Sequence, residues 1–361
     1  MHFGARNKKL LLILLCVVII IVGIAVALWY PQSPPEEQGQ PPPQVPTKIH
    51  KLLACAICNE KVYFLNLTDS SFVEYPFATV PKASTYALVS QKNLLFVAAG
   101  NQIIKIDFSN QTTMSQTLEG SLAIRKILLF DEKIYAVISD YSLATAKVAI
   151  LNLTDLNLLA EIPIEEAGGY AYDLLPVQEN FYIPTFNSSS GEAYLLKLDS
   201  NFNVINKVET NLVSPAEVIL VNNRLILRGA DKIQIYDLDL TLLKEVPAIF
   251  GDGSIINDGN SLYVAGSNLT GAPCLYILTL EDNTIRINKT ISLANASGKA
   301  FHVVKVNSTL YVVTWDRATN STIKKIDGEN IETIAIPTTG NNWPVPMATG
   351  AVYLEVEEEQ R

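Results

Sequence analysis

The chain has 361 residues, of which 48% are hydrophobic and only 17% are charged, as in globular proteins rather than disordered ones. Its formal net charge of −9 argues against a general nucleic-acid-binding surface, which needs an excess of basic residues. Only three histidines occur, His2, His50 and His302, which argues against a histidine-rich metal site or histidine-based catalysis. The scarcity of histidine does not exclude catalysis by carboxylate or tyrosine side chains.

The N-terminal 30 residues predict a membrane anchor. Residues 1–9 are basic, and an uncharged, mostly apolar run at 10–30 follows them. About 20 apolar residues span a bilayer as a helix, and basic flanks favour the cytoplasmic side. We therefore expect one helix in the plasma membrane at 10–30, a cytoplasmic N-terminus at 1–9 and an extracellular remainder. A cleaved signal peptide, cut after Ala27, is the alternative.

A proline-rich linker follows at 31–47. Proline at this density favours an extended polyproline conformation, which at ~3.1 Å per residue would hold a domain some ~50 Å from the membrane. A disordered tether is the alternative and would serve the same purpose.

N-x-Ser/Thr motifs are more frequent after the linker than chance would give, which favours a glycosylated exterior and agrees with the predicted topology. The nine candidate asparagines are Asn66, Asn110, Asn152, Asn187, Asn268, Asn288, Asn295, Asn307 and Asn320.

Three cysteines lie outside the predicted anchor: Cys55, Cys58 and Cys274. Residues three apart on a straight strand face opposite sides, so a Cys55–Cys58 disulfide would need a turn between them. Buried free thiols are the default interpretation, ahead of a local disulfide or a redox site.

From residue 48 onwards, short runs rich in Val, Ile, Leu and Tyr alternate with Gly, Asn, Asp and Ser, which predicts an all-β domain. One class of strand recurs at a mean spacing of about 43 residues, the period of a β-propeller blade. Its members lie at 94–99, 133–139, 180–186, 224–229, 261–266, 309–315 and 351–357.

A second class of strand follows each of the first six members and also begins the domain at 61–67, where KVYFLNL nearly copies KVAILNL at 147–153. Seven units of this length account for about 300 residues, so 48–361 is predicted to be a seven-bladed β-propeller. Strands from both termini would complete one blade and pair its open edges. Both 51–57 and 351–357 resemble its second strand, so one of them must be displaced or form an extra edge.

The second class of strand ends at an Asp or Asn in six of seven cases, with Thr279 as the exception. Asp and Asn side chains bond to the backbone two residues on and begin tight turns, so these positions predict a structural role. With this feature the chain resembles the WD40, YVTN and quinoprotein-like β-propeller group, although Ile, Leu or Tyr replaces the Trp of the Trp-Asp pair. The resemblance implies the architecture and not an activity.

In such propellers, ligands usually bind where the connections between blades meet the turns from second to third strands. The residues expected to line that face are Tyr170, Asp252, His302, Trp315 and Trp343. Each is also compatible with an ordinary packing or turn role. Residues 199–203 resemble the start of a calcium loop but lack its later glycine and glutamate, so no metal site is predicted.

No catalytic residue and no cofactor site is predicted, because the sequence holds no nucleophile triad, phosphate loop or nucleotide fingerprint. The sequence therefore favours a non-enzymatic surface protein that binds or scaffolds another cell-surface or membrane protein. The glycosylation motifs and the strands rich in Ile, Leu and Val are typical of an archaeal cell-surface protein. The alternatives are an extracellular propeller enzyme (a lactonase, hydrolase or quinoprotein-like dehydrogenase) and a subunit or assembly factor of a membrane complex.

Overall fold

Seven β-sheets follow one another along the chain in a computed structural model of the protein, and each sheet is one blade. Each blade's strands are consecutive in the chain, except in blade 1. The described residues are 47–58, 61–83, 86–120, 122–140, 145–167, 169–187, 189–213, 217–247, 253–281, 284–294, 298–316, 321–336 and 352–359.

Blades 1 to 4 are formed by the strands up to Glu209, together with the last strand of the chain. Blade 1 contains β1 (Thr47–Cys58), β2 (Lys61–Asn66), β3 (Phe72–Thr79) and, from the far end of the chain, β29 (Val352–Glu359). Blade 2 contains β4 (Tyr86–Gln91), β5 (Leu94–Ala99), β6 (Gln102–Asp107) and β7 (Thr112–Thr117). Blade 3 contains β8 (Leu122–Phe130), β9 (Lys133–Asp140), β10 (Thr145–Asn152) and β11 (Leu158–Ile164). After a short 3-10 helix (Glu165–Ala167), blade 4 contains β12 (Tyr170–Ala171), β13 (Leu175–Val177), β14 (Asn180–Phe186), β15 (Ala193–Leu198) and β16 (Val204–Glu209).

Blades 5 to 7 complete the set. Blade 5 contains β17 (Glu217–Val221), β18 (Arg224–Arg228), β19 (Lys232–Tyr236) and β20 (Leu242–Pro247). Blade 6 contains β21 (Ile255–Asp258), β22 (Ser261–Ser267), β23 (Pro273–Glu281) and β24 (Thr284–Ser292). Blade 7 contains β25 (Gly298–Val306), β26 (Thr309–Asp316), β27 (Thr322–Asp327) and β28 (Asn330–Ala335).

The strand order of blade 1 shows which terminal segment forms its second strand. Its strand order is β29-β1-β2-β3, so β1 takes the second position and β29 the first, innermost position. The interpretation of 351–357 as a second strand is therefore wrong. β1 pairs with β2 from Leu52 opposite Asn66 to Cys58 opposite Lys61, and that register leaves only its other edge for β29. The prediction that both termini build this blade is confirmed.

The hydrophobic core lies between neighbouring blades rather than inside one layer. Four aromatic residues in the second strands of blades 2, 3, 4 and 7 are all 5% exposed or less: Phe96, Tyr135, Tyr182 and Tyr311. They are buried because both faces of each sheet are covered by adjacent blades. The cluster that joins blade 7 to blade 1 contains Tyr311, Val313 and Ile323 from one side and Leu53, Tyr63 and Leu65 from the other. This cluster closes the ring.

The turns after the third strands have the predicted side-chain-to-backbone bonds. Asp107 Oδ1 accepts from Ser109 N at 2.9 Å, and Asp199 Oδ1 accepts from Asn201 N at 2.8 Å. Asp237 Oδ1 accepts from Asp239 N at 2.9 Å. The interpretation of these acidic residues as turn residues is confirmed, and Asp199 is one of them.

Asp199→Ala is expected to lower stability more at neutral pH than in acid. The Asn203 side-chain amide, followed by backbone N–H groups, donates to this carboxylate and lowers its pKa from 3.8. A lowered pKa means that the stabilisation is present above the unfolded pKa and is lost as pH falls through the folded value. Thermal unfolding of both proteins from pH 7 to pH 2 checks this, and a constant difference in Tm would contradict it.

Because neighbouring strands run in opposite directions, the connections between strands lie on two faces of the propeller. Turns from first to second and from third to fourth strands lie on one face, called the lower face here. Turns from second to third strands and the connections between blades lie on the other, the upper face. The described residues contain no helix long and apolar enough to cross a membrane, and the anchor predicted at 10–30 lies outside them.

Candidate functional site in the central channel

Only two of the five residues predicted for the ligand face can be placed with their side chains. Tyr170 begins β12 in blade 4, and His302 lies within β25 in blade 7, so each is on an innermost strand rather than in a loop. The backbone of Trp315 is near the end of β26, but its side chain is outside the described set. Asp252 and Trp343 also lie outside the described residues. The described contacts do not bring Tyr170 and His302 together.

A cluster of charged side chains, which the sequence analysis missed, lies on the innermost strands of blades 3 to 5. Lys126 is on β8, Asp173 is between β12 and β13, and Glu217 begins β17. Lys126 Nζ is 3.1 Å from Asp173 Oδ1 and 3.7 Å from Glu217 Oε1. The Lys126 side chain is 37% exposed and that of Asp173 only 4%, so the ion pair is open to solvent on one side. We call Lys126, Asp173 and Glu217 the channel cluster.

The carboxylates of the channel cluster also accept hydrogen bonds from backbone groups of three blades. Asp173 Oδ1 accepts from Leu174 N at 2.9 Å, and its Oδ2 accepts from Val218 N in blade 5 at 3.0 Å. Glu217 Oε2 accepts from Ile255 N in blade 6 at 2.8 Å. The cluster therefore links the innermost strands of four consecutive blades, from Lys126 in blade 3 to Ile255 in blade 6.

The pKa values of Lys126 and Glu217 in the channel cluster are both raised. Burial alone would lower the pKa of Lys126, but the carboxylates of Asp173 and Glu217 outweigh it and raise that pKa, so the lysine is charged. Burial raises the pKa of Glu217, and the nearby Asp173 charge adds to this, against the opposing charges of Lys126 and the buried Arg228 opposite it in β18. Asp173 is the nearer carboxylate to Lys126, at 3.1 Å, and the raised pKa of Glu217 means that it holds its proton more readily than an ordinary glutamate.

A β-bulge beside Lys126 sets the local direction of the side chains. The pairing of β8 with β9 shifts register between Ile124 and Lys126, so Arg125 is the extra residue. Bulges redirect side chains locally. The Arg125 guanidinium carbon lies 5.8 Å from the centre of the Tyr172 ring, in blade 4 next to Asp173. The bulge therefore lets two successive basic residues both reach towards blade 4.

Charged residues within apolar runs were the available sequence signal for this cluster. Lys126 interrupts the run AIRKILLF, and Glu217 directly precedes the run VILV. A charged residue inside a buried strand needs a partner. The signal indicates that partners exist, but one sequence does not show that three separate blades supply them.

The remaining chemistry-bearing groups do not add to this site. Cys274 is a buried free thiol in β23, in agreement with the default interpretation, whereas the side chains of Cys55 and Cys58 are outside the described set. Among the residues that the structure describes, no three His, Cys, Asp or Glu side chains are grouped as metal ligands.

The native protein is expected to lose stability as pH rises above 4.5, because Glu217 is buried. Glu217→Gln is expected to abolish this pH dependence. The folded pKa of Glu217 is raised by burial, so the folded state holds the proton more tightly than the unfolded state. Stability therefore falls with rising pH between the unfolded and folded values. Glutamine mimics the protonated acid and can still accept from Ile255 N. Urea unfolding at pH 4.5 and pH 7.5 measures this, and an unchanged pH dependence in the variant would contradict it.

Comparison with known proteins shows that other solved structures share this architecture. No protein-family model and no curated protein matches the chain. Among solved structures, the periplasmic gluconolactonase PpgL of Pseudomonas aeruginosa aligns with 86% of this chain and 100% of its own, at a TM-score of 0.62 and 11% identity. The chain is a seven-bladed β-propeller.

Two further solved structures extend the comparison across propeller types. A candidate 6-phosphogluconolactonase from Bacteroides fragilis aligns with 87% of this chain and 99% of its own, at a TM-score of 0.60 and 14% identity. The Pan2 WD40 domain of Neurospora crassa aligns with 72% of this chain and 80% of its own, at a TM-score of 0.52 and 13% identity. The resemblance to the WD40, YVTN and quinoprotein-like propeller group is thus confirmed at the level of architecture. Likeness at these identities shows the fold alone.

Proposed function

We propose that this protein is a membrane-anchored, glycosylated, extracellular β-propeller that binds or scaffolds another cell-surface or membrane protein. The basic segment 1–9, the apolar run 10–30 and the proline-rich linker 31–47 support a single-pass anchor in the plasma membrane with the propeller outside the cell. The nine glycosylation motifs support the extracellular side. The net charge of −9 gives no support to a nucleic-acid partner.

The observation that favours binding over catalysis is the bonding of the channel cluster. Both oxygens of Asp173 already accept from backbone N–H groups at 2.9 and 3.0 Å, and one of them also pairs with Lys126. A carboxylate used in this way is poorly suited to remove a proton from a substrate, because its lone pairs are engaged by the protein. The cluster therefore has the bonding of a structural link between blades.

A pull-down of the full-length protein from gently solubilised membranes tests the proposal, with mass spectrometry of the captured proteins. A partner at near-equal molar amount supports the binding or scaffold role, and several partners in fixed ratio indicate a subunit or assembly factor of a membrane complex. Recovery of the protein alone would oppose both. Protease digestion of intact cells, with the propeller expected to be cut and residues 1–9 protected, tests the orientation separately.

An extracellular propeller enzyme is the second candidate, and the channel cluster supplies the observation that favours it. Glu217 has a raised pKa beside the partly exposed cation of Lys126, and displaced carboxyl pKa values of this kind occur at catalytic sites. The fold shared with a gluconolactonase suggests sugar lactones as the first substrates to try. If hydrolysis is found, Glu217→Gln should lower kcat/KM by about 100-fold or more. Equal activity in the variant would remove Glu217 from this role.

A further inference from the structure

Seven of the nine candidate glycosylation asparagines lie among the described residues, and the contacts of their side-chain amides divide them into groups. In four of them, Oδ1 accepts a hydrogen bond from the backbone N–H of the Ser or Thr two residues on, which is the hydroxyl residue of the same motif. The pairs are Asn66 with Thr68 at 3.0 Å, Asn152 with Thr154 at 2.7 Å, Asn187 with Ser189 at 2.9 Å and Asn268 with Thr270 at 3.0 Å.

This bond holds the asparagine amide against the backbone of the hydroxyl residue within one turn. It holds the amide oxygen towards the backbone, and no described residue accepts a hydrogen bond from Nδ2 of Asn66, Asn152, Asn187 or Asn268. At Asn268 the Thr270 hydroxyl also lies 2.7 Å from the amide oxygen, so amide and hydroxyl are already adjacent. A group held in its reacting geometry has less conformational entropy left to lose.

Two other asparagines have the opposite arrangement, although their side chains are more exposed. Asn110 Nδ2 donates to Asp107 Oδ2 at 2.9 Å. Asn288 lies in the outermost strand β24, at the bulge opposite Ile277 and Leu278, and its Nδ2 donates to Thr279 Oγ1. In both, the nitrogen that would carry the sugar is turned towards the protein. The seventh described residue, Asn307, has a φ of 55° in the β25–β26 turn and belongs to neither group.

We infer that Asn66, Asn152, Asn187 and Asn268 are the principal glycan acceptors of this protein, and that Asn110 and Asn288 are poor ones. The inference rests on the proposed extracellular glycosylation. The donor is a lipid-phosphate-linked sugar. In the transfer, Nδ2 forms a bond to the anomeric carbon, the bond from that carbon to the phosphate oxygen breaks, the phosphate leaves with the bonding pair, and Nδ2 gives up one proton to solvent.

The positions of the four acceptors determine which surfaces carry sugar. Asn66 and Asn152 follow third strands in blades 1 and 3, so they lie on the lower face. Asn187 and Asn268 follow second strands in blades 4 and 6, so they lie on the upper face. A large protein docked over the upper face would meet sugar at blades 4 and 6. The partner is therefore expected to contact the rim of the propeller or the upper face over blades 1 to 3.

Glycopeptide mass spectrometry of the full-length protein from its own membranes, with occupancy measured at each site, tests the inference. Occupancy at the four acceptors should exceed that at Asn110 and Asn288 by about fivefold, the factor expected when one hydrogen bond must first be broken. Equal or greater occupancy at Asn110 and Asn288 would overturn the inference while the proposed glycosylation stands. Unmodified peptides at every site would overturn both.

A substitution separates the hydrogen bond from other features of the site. Thr279→Val keeps the branched shape of the side chain and removes the acceptor of Asn288 Nδ2, so occupancy at Asn288 should rise about fivefold. Thr117→Val, in the outermost strand β7 of blade 2 and opposite Gln102, is the matched control and should leave occupancy at Asn288 and Asn110 unchanged. No rise at Asn288 in the Thr279 variant would overturn the role assigned to its hydrogen bond.

Discussion

Lys126→Met is expected to lower the free energy of unfolding by about 2–3 kcal/mol. The substitution leaves the carboxylates of Asp173 and Glu217 without their cation, and Asp173 is only 4% exposed. Loss of one partner of a fully buried pair costs about 3–5 kcal/mol. The smaller value is expected here because the 37% exposure of Lys126 means that water reaches the pair from one side. Urea unfolding of the detergent-solubilised full-length protein, followed by far-UV circular dichroism, measures the change.

A second lysine, in an exposed ion pair, provides the control for that experiment. Lys61 pairs with Glu74 at 2.8 Å, but their side chains are 54% and 47% exposed, so Lys61→Met should have little effect. The double variant Lys126→Met, Glu217→Gln should recover part of the loss, since it leaves one unpaired carboxylate instead of two. Equal losses in Lys126→Met and Lys61→Met would show that the ion pair of Lys126 contributes no more than an exposed one.

Gly253→Ala is expected to destabilise the propeller by at least about 3 kcal/mol. A Cβ atom at this buried position would overlap the backbone carbonyl oxygens of Ala265 and Ala300, which are held in the sheets of blades 6 and 7 and cannot rotate away. The next residue, Ser254, donates its N–H to Phe301 O at 2.7 Å and accepts from Val303 N at 3.0 Å through Oγ. Any displacement of Gly253 would therefore disturb the bonds between the innermost strands of these blades. Differential scanning calorimetry measures the effect.

A glycine with open space around it provides the control. Gly191 has a φ of +76°, and no neighbouring heavy atom lies within 4 Å of the point that an added Cβ would occupy. Gly191→Ala should therefore cost only the backbone strain of about 1–2 kcal/mol. A larger loss at Gly191 than at Gly253 would mean that backbone conformation, and not the contact between blades 6 and 7, determines the cost.

The repeat could be predicted from the sequence because similar burial recurs at equivalent positions of several blades. Tyr135, Tyr182 and Tyr311 occupy equivalent positions, and packing between blades selects large apolar side chains at each of them. The turns could be predicted for a similar reason, since Asp107 and Asp199 need only local backbone partners. Periodic and local features are visible in one sequence.

The closing blade and the channel cluster could not be predicted in the same way. Residues 51–57 and 351–357 both resemble a second strand, and only the pairing of β1 with β2 decides which takes the second position. Lys126, Asp173 and Glu217 occur once each, on three blades, so no repeat relates them. Their proximity is a product of ring geometry, which brings the first strands of separate blades to one axis.

The innermost position of β29 has a consequence for biosynthesis. A ribosome makes β1, β2 and β3 first, yet the strand that pairs with β1 on its inner side is made last, about 290 residues later. Until then β1 keeps an open edge, and such edges pair readily with other chains. The hydrophobic cluster that contains Leu53, Tyr311 and Ile323 also forms only after blade 7 has been synthesised. The final cooperative folding step is therefore expected only after β29 has been synthesised, and the nascent chain needs protection from aggregation until then.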